Sequence, residues 1–155
     1  MSQFIWLILI CALIVYSCSD RQADPVIDDM AGHLLGSWRT SAWTGTLDET
    51  WIKGNDGWLH ETAYYYEDAD TSYRAHSRIQ RVENDLILFS VIQNSTPKIF
   101  RATTIHSDSV VFENADYRNP FRVVYYFSEG AGFQRTITGF ENDSLVSTTF
   151  NFAKQ

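Results

Sequence analysis

The stretch from Thr71 to Gln93, TSYRAHSRIQRVENDLILFSVIQ, predicts two β-strands joined by a tight turn. Both halves contain β-branched and aromatic residues, and Asn84-Asp85 between them tolerates the positive φ angles of short turns. Comparable runs recur about every 8–12 residues through the rest of the chain, and long helical periodicity is absent. The sequence therefore predicts an all-β chain built from sequential antiparallel hairpins.

About ten strands and one short helix are expected from this pattern. The strands are placed near Ser37–Gly45, Leu47–Lys53, Trp58–Glu67, Thr71–Val82, Leu86–Gln93, Lys98–His106, Ser109–Asn114, Phe121–Ser128, Phe133–Phe140 and Ser144–Phe152. Ahead of them, Ile27–Leu35 has apolar residues at helical spacing and is predicted to form one or two turns that close one end. The longer connection from Ala115 to Pro120 is predicted to be an irregular loop.

An open sheet of about ten strands exposes two edges to other chains, and closing the sheet on itself removes both. We therefore favour a barrel over a sandwich, with the Ala115–Pro120 loop over its mouth. A barrel of this size encloses a cavity unless aromatic side chains fill it. The aromatic candidates are Trp38, Trp43, Trp51, Trp58, Tyr64, Tyr65, Tyr66, Tyr73, Tyr125, Tyr126, Phe127 and Phe133. Each is either part of a ligand pocket or ordinary core.

Several short motifs connect the chain with a known family. They are Leu35-Gly36-Ser37-Trp38, Glu49-x-Trp51, Arg78-Ile79, Phe112-Glu113-Asn114, Pro120-x-Arg122-Val123-x-Tyr125 and Asp143-Ser144-Leu145. With these motifs the chain resembles a bacterial lipocalin-like (calycin-type) domain family of unknown function that is often carried by lipoproteins. The resemblance covers nearly all of Leu34–Phe152. It implies an antiparallel up-and-down β-barrel in which Trp38 packs across the closed end.

The resemblance supplies a fold without a reaction. In the family's pattern the loop after Glu-Asn usually contains a His-Asp pair, and here those positions hold Tyr117 and Arg118. No proton transfer or metal ligation by that pair carries over to this chain.

The N-terminal segment FIWLILICALIVYSC, residues 4–18, predicts a bacterial lipoprotein leader. Its run of about 14 apolar residues is shorter than the roughly 20 that a helix needs to cross a bilayer. The small Ser17 suits cleavage of a signal peptide, with the Cys18 thiol as the acylation point. We predict a signal peptide over residues 1–17, a flexible tether over 18–26 and the barrel over 27–155. An uncleaved membrane anchor and a buried N-terminal helix are the alternatives.

This leader predicts a lipid-anchored protein of the bacterial cell envelope, with the outer membrane favoured over the inner. The formal net charge of −7 argues against a nucleic-acid partner, whose phosphates would be repelled. Both cysteines, Cys11 and Cys18, lie in the leader or at its end, so the mature domain has no disulfide and no thiolate metal site. Roughly 130 remaining residues correspond to one domain with one core.

The sequence contains no recognisable catalytic or metal-binding motif. The four histidines are His33, His60, His76 and His106. They fall on separate predicted elements without the close spacing of a zinc site, so no metal and no cofactor are expected. A Gly-x-Ser-x-Gly elbow is absent, which argues against a hydrolase. His76 shares a strand face with Arg74 and Arg78, and this row is interpreted as a solvated face.

Charged residues within strongly apolar strands are candidates for a polar cluster. They are Glu49, Arg78, Glu113 and Arg122. Burial of an unpaired charge is costly. Inside a barrel, Arg78 or Arg122 would therefore meet a glutamate and orient a ligand carboxylate or hydroxyl. The alternative is cross-strand ion pairing on the outside. The predicted ligand-binding residues are Trp38, Glu49, Trp51, Tyr64, Arg78, Glu113, Asn114, Arg122 and Tyr125.

The function predicted from the sequence is that of an envelope lipoprotein whose barrel binds a small, partly apolar or aromatic ligand without catalysis. The alternative is a structural or partner-binding lipoprotein with a filled barrel, whose exposed loops or sheet edge contact an envelope protein. The volume of the barrel interior distinguishes the two, since a filled barrel has no void larger than a water or two.

Overall fold

The computed structural model describes residues 24–68, 70–93, 95–128, 130 and 132–155, which form one helix and ten strands. The elements are α1 Pro25–Leu34, β1 Gly36–Ala42, β2 Gly45–Lys53, β3 Leu59–Glu67, β4 Asp70–Val82, β5 Asp85–Ile92, β6 Lys98–His106, β7 Ser109–Glu113, β8 Arg122–Phe127, β9 Gly132–Glu141 and β10 Ser144–Lys154. The predicted signal peptide and Cys18 lie outside the described residues. Within these ranges, no helix is long and apolar enough to cross a membrane.

The ten strands close into a barrel in which each strand pairs antiparallel with its neighbours in sequence order. Strands β1 and β10 complete the circle, with Trp38 opposite Lys154 and Arg39 opposite Ala153. The predicted fold class is therefore confirmed: an all-β, antiparallel up-and-down barrel of lipocalin-like form with a short N-terminal helix.

Several strand ends lie a residue or two from the predicted ones, and the change at Gly45 has a local steric reason. Gly45 begins β2 instead of ending β1. A Cβ at this position would lie 2.0 Å from the carbonyl oxygen of Tyr66, so only glycine allows β2 to pass so close to β3. In the turn between β4 and β5, the positive φ of 53° falls on Glu83, because β5 already begins at Asp85.

Helix α1 closes one end of the barrel and begins with a well-formed cap. The Asp24 carboxylate accepts hydrogen bonds from the backbone N–H groups of Val26 at 2.9 Å and Ile27 at 3.2 Å. Pro25 occupies the first turn, where a backbone N–H would have no helical partner. The helix thus begins before the predicted Ile27, and Pro25 and Val26 belong to it instead of to the tether.

The contacts of α1 fix it against the barrel. Its buried face consists of Ile27, Met30, Ala31 and Leu34. The indole N–H of Trp38 donates to the carbonyl oxygen of Leu34 at 2.6 Å. Asp24 forms an ion pair with Arg81 of β4, with Nε and Oδ2 2.8 Å apart. Trp38 also packs edge-on against Phe133, with ring centroids 5.2 Å apart, so it lies across the closed end.

The opposite end carries the longest irregular connection, between β7 and β8. This segment was predicted as an irregular loop, and backbone hydrogen bonds hold it against β9. The N–H of Phe121 donates to the carbonyl oxygen of Thr138 at 3.0 Å, and the N–H of Phe140 donates to that of Arg118 at 2.7 Å.

Asp24 offers a direct test of how α1 is held. Asp24→Ala removes the cap and the partner of Arg81, and we expect it to lower the free energy of unfolding by about 1–2 kcal/mol. Asp24→Asn keeps a capping side chain and should lose only the ion pair. Urea unfolding at neutral pH measures both changes, and an alanine variant as stable as the wild type would contradict this account.

The same ion pair predicts a pH dependence. The Arg81 hydrogen bond holds the pKa of Asp24 below its usual value. The native state therefore binds fewer protons there than the unfolded state, and the stabilisation is present at neutral pH and is lost as the pH falls below about 4.

Candidate functional site

A cavity of about 230 Å³ occupies the half of the barrel away from α1. Its wall comes from most of the strands and from connections at the end opposite α1, which contribute Trp43, Ser95 and Pro120. The strand residues that line it are Leu47, Glu61, Ala63, Tyr73, Ala75, Ser77, Leu88, Ser90, Ile92, Lys98, Phe100, Val123, Tyr125, Arg135, Ile137 and Phe150. Most of these are apolar, and we refer to this space as the barrel cavity.

Three charged side chains meet inside the barrel, and two of them line the cavity. Nη2 of Arg135 lies 2.5 Å from Oε1 of Glu49, and Nη1 of Arg135 lies 3.3 Å from Oε1 of Glu61. Glu49 is on β2, Glu61 on β3 and Arg135 on β9, and all three are buried. We call these residues the charged cluster. Arg135 and Glu61 form part of the cavity floor.

Aromatic groups surround the cluster. The guanidinium carbon of Arg135 lies 5.1 Å from the ring centroid of Phe152 and 5.6 Å from that of Phe150, within the range of cation–π attraction. The indole N–H of Trp51 donates to Oε2 of Glu49 at 3.3 Å. The Tyr125 side chain is among the groups that raise the pKa of Arg135. Nε of Arg135 is buried and has no hydrogen-bond partner among the described residues.

Burial controls the ionisation of this site. Burial raises the pKa of Glu49 well above its usual value; Arg135 lowers it in part, and Glu61 raises it further. Burial lowers the pKa of Arg135, but Glu49, Tyr125 and Glu61 outweigh burial and raise it. One guanidinium cannot compensate two buried carboxylates. At net neutrality the cluster therefore has one charged arginine and one proton on the carboxyl pair, and burial favours this proton by raising the pKa of Glu49.

The neighbouring tyrosines remain phenols at neutral pH. Burial raises the pKa of Tyr73 to about 12, and burial also raises the pKa of Tyr125. Both side chains line the cavity, where a phenol both donates and accepts hydrogen bonds.

Several predicted site residues do lie inside the barrel. Glu49, Trp51 and Tyr125 are fully buried around Arg135, and the rings of Trp51 and Tyr125 lie 6.2 Å apart edge to face. Tyr125 lines the cavity, whereas Glu49 and Trp51 lie behind its wall. Trp38 is buried at the closed end, beside α1.

The remaining predicted site residues lie outside the interior. Arg78 is exposed, with its guanidinium carbon 5.9 Å from the ring centroid of Trp58, and Tyr64 stacks on Tyr66. The expected interior pairing of Arg78 with Glu49 therefore does not form, because Arg78 alternates with inward-facing residues of β4.

Arg122 and Glu113 form the outer pair that was the alternative prediction. Nε of Arg122 lies 3.1 Å from Oε1 of Glu113, and both side chains are partly exposed on paired positions of β8 and β7. Asn114 shapes the adjoining loop: its amide donates to the carbonyl oxygen of Ile99 at 2.8 Å, and its Oδ1 accepts from the N–H of Asp116 at 3.0 Å.

Arg135 and Glu61 were not identified from the sequence, although their position carried a signal. Arg135 has the same strand parity as Phe133 and Ile137, and Glu61 has the same parity as Leu59 and Ala63. Successive side chains of a strand point to opposite faces, so a charge that shares the parity of apolar neighbours faces inward.

Comparison with models of known protein families finds no match, and no curated protein matches the chain. Among residues 24–155, apart from the few that the structure leaves undescribed, no three His, Cys, Asp or Glu side chains are grouped so as to hold a metal ion.

The charged cluster predicts unequal effects of its members on stability. Arg135→Met leaves two buried carboxyl groups without a cation and should cost about 3–5 kcal/mol of unfolding free energy. Glu49→Gln replaces a neutral acid by a neutral amide of similar shape and should cost much less. Chemical denaturation at pH 7 measures both, and equal losses in the two variants would argue against a protonated Glu49.

The raised pKa of Glu49 also predicts that the free energy of unfolding depends on pH. Above the usual value of 4.5, the native state binds more protons than the unfolded state, so the wild type should lose stability as the pH rises through the raised pKa. In Glu49→Gln this slope should disappear. A slope that is unchanged in the variant would assign the titration to another group.

Proposed function

We propose that this protein is a lipid-anchored lipoprotein of the bacterial cell envelope whose lipocalin-like barrel binds one small, partly apolar ligand without transforming it. The observation that carries the proposal is the barrel cavity, an apolar space of about 230 Å³ with the charged cluster at its floor. Ligand sites commonly combine an apolar wall with a few placed polar groups.

The cavity volume supports ligand binding over a filled structural barrel. A void needs only about 10–15 Å³ to hold one water, and an apolar cavity of roughly 150 Å³ is enough for a benzene-sized molecule. The space here is larger than both. It persists because small side chains, Ala63, Ala75, Ser77 and Ser90, occupy its wall.

The chemistry of the floor supports binding rather than catalysis. The charges of Arg135 and Glu61 compensate each other, with Nη1 and Oε1 3.3 Å apart. The phenol of Tyr73 stays protonated far above neutral pH because burial raises its pKa to about 12. These groups can therefore orient a ligand by hydrogen bonds, but none is activated as a nucleophile.

The leader supports an anchor at Cys18, with the outer membrane favoured over the inner. The chain enters the barrel through α1 at the closed end. An acyl chain on Cys18 would hold this end towards the bilayer, and the cavity mouth would then face away from it.

Filling the cavity should abolish binding. In Ala75→Phe the added ring occupies the cavity, and we expect affinity to fall more than about tenfold for any member of a panel of small aromatic metabolites and short fatty acids that binds the wild type. Ala153→Phe, on the outer surface of β10, is the matched control. Ligand-observed NMR measures binding. A panel without any binder, or equal binding by Ala75→Phe, would contradict the proposal.

Acylation should depend on one of two cysteines. Cys18→Ser should abolish incorporation of an alkyne-labelled fatty acid and release the protein from the membrane fraction of a bacterial host, because the thiol is the acylation point. Cys11→Ser is the control and should be labelled like the wild type. Labelling that survives Cys18→Ser would rule out the predicted anchor.

A further inference from the structure

The positive charge at the cavity floor is already compensated. Arg135 contacts the carboxyl groups of both Glu49 and Glu61, and its guanidinium faces the rings of Phe150 and Phe152. An anionic ligand that approached Arg135 would therefore meet a carboxylate as well as a cation. The sequence predicts that Arg78 or Arg122 orients a ligand carboxylate or hydroxyl, and the arrangement around Arg135 works against the binding of a carboxylate.

The net charge of the groups at the cavity floor distinguishes between cationic and anionic ligands. The groups that face Glu49 are Glu61 on β3, Tyr73 on β4, Tyr125 on β8 and Arg135 on β9. A cation brought to Glu61 leaves the site neutral when Glu49 gives up its proton. An anion leaves it neutral only if a second proton is taken up by Glu61. A cation beside the pair makes release of that proton easier, because it supplies the opposite charge that a second buried carboxylate needs.

The mouth of the cavity presents aromatic rings suited to a cation. Trp43 is 63% exposed and lies edge-on to Tyr65 at 5.1 Å, Phe150 at 5.5 Å and Tyr73 at 6.1 Å between ring centroids. Trp43, Tyr73 and Phe150 line the cavity. The faces of such rings attract ammonium groups, so the mouth favours the entry of a cation over that of an anion.

The other charges near the cavity are Lys98 and the net charge of the chain. Lys98 also lines the cavity, but its ammonium group donates to the carbonyl oxygen of Asn119 at 2.7 Å and lies 4.9 Å from the ring centroid of Tyr117. The chain as a whole has a formal net charge of −7, which raises the local concentration of cations.

We propose that the barrel cavity selects amphiphilic cations, that is, amines or ammonium compounds with one small apolar group, over carboxylates of the same size. The charged group binds at Glu61 on the cavity floor, where Glu49 lies behind it, and the apolar group lies against the aromatic wall. This inference rests on the proposed ligand-binding function and names its ligand class.

Three matched probes test the inference on the full-length protein. Phenethylamine, 2-phenylethanol and 3-phenylpropionate share a phenyl ring on a two-carbon chain and differ in head-group charge. By calorimetry at pH 7.5 we expect phenethylamine to bind roughly tenfold tighter than the alcohol, and the carboxylate to bind weakest. Measured in buffers of different ionisation enthalpy, amine binding should release a proton, and its affinity should rise with pH up to the pKa of Glu49.

Two variants assign the effect to the carboxyl pair. Glu49→Gln and Glu61→Gln each leave one carboxylate beside Arg135, so the empty cluster stays neutral and folded. In both, a bound cation would have no counter-charge, and the amine should lose its advantage over the alcohol together with proton release. Glu113→Gln, the same change on the outer surface, should behave like the wild type.

The outcomes separate the inference from the proposed function. Absence of binding by all three probes and by the wider aromatic panel would overturn the ligand-binding function itself. Binding of the alcohol or the carboxylate as tightly as the amine would overturn only the ligand class. An amine advantage that survives both glutamine substitutions would also overturn the ligand class, since the carboxyl pair would then not be the determinant.

Discussion

The ion pairs of Arg135 with Glu49 and Glu61 link β9 to β2 and β3 through the barrel interior, and the packing differs on their two sides. Towards α1, large rings fill the space: Trp38, Phe133 and Phe152 pack in sequence with centroid distances of 5.2 and 4.6 Å. Towards the mouth, interior positions hold small side chains such as those of Ala63 and Ala75. These side chains are too short to contact each other across the interior of a ten-stranded barrel. The cavity is the consequence of that change in side-chain size.

The charged cluster has a free-energy cost at the edge of the hydrophobic core. Desolvation of two carboxyl groups and a guanidinium offsets most of their attraction, and apolar residues of the same volume often stabilise a fold as well or better. Retained protons and shifted pKa values of this kind are concentrated at functional sites. The position of Glu61 and Arg135 on the cavity wall, instead of deep in the closed half, is the physical reason to connect the cost with ligand binding.

The strands, the barrel closure and the short helix could be predicted because each depends on local signals: turn residues, β-branched runs and the need to remove sheet edges. The buried arginine had only a weaker signal, the parity that Arg135 shares with Phe133 and Ile137, and this signal does not identify its partners. In β4, Ala75, Ser77 and Ile79 face inward and Arg78 faces outward. Because Ala75 and Ser77 are small, the sequence of the inner face is little more apolar than that of the outer face. Pairing of Arg135 with Glu49 joins residues far apart in sequence, and only closure of the barrel brings them together.

The proton on Glu49 connects stability with binding. In the empty barrel it neutralises the cluster, so the contribution of Glu49 to stability is present at low pH and is lost as the pH rises through its raised pKa. A bound cation would replace that proton as the counter-charge, and it would stabilise the native state most where the proton has begun to dissociate. The same buried carboxyl would then limit the stability of the empty protein and supply part of the affinity of the loaded one. Linkage of this kind requires a pKa that differs from the ordinary value, and burial of Glu49 beside Trp51 is the main cause of that difference.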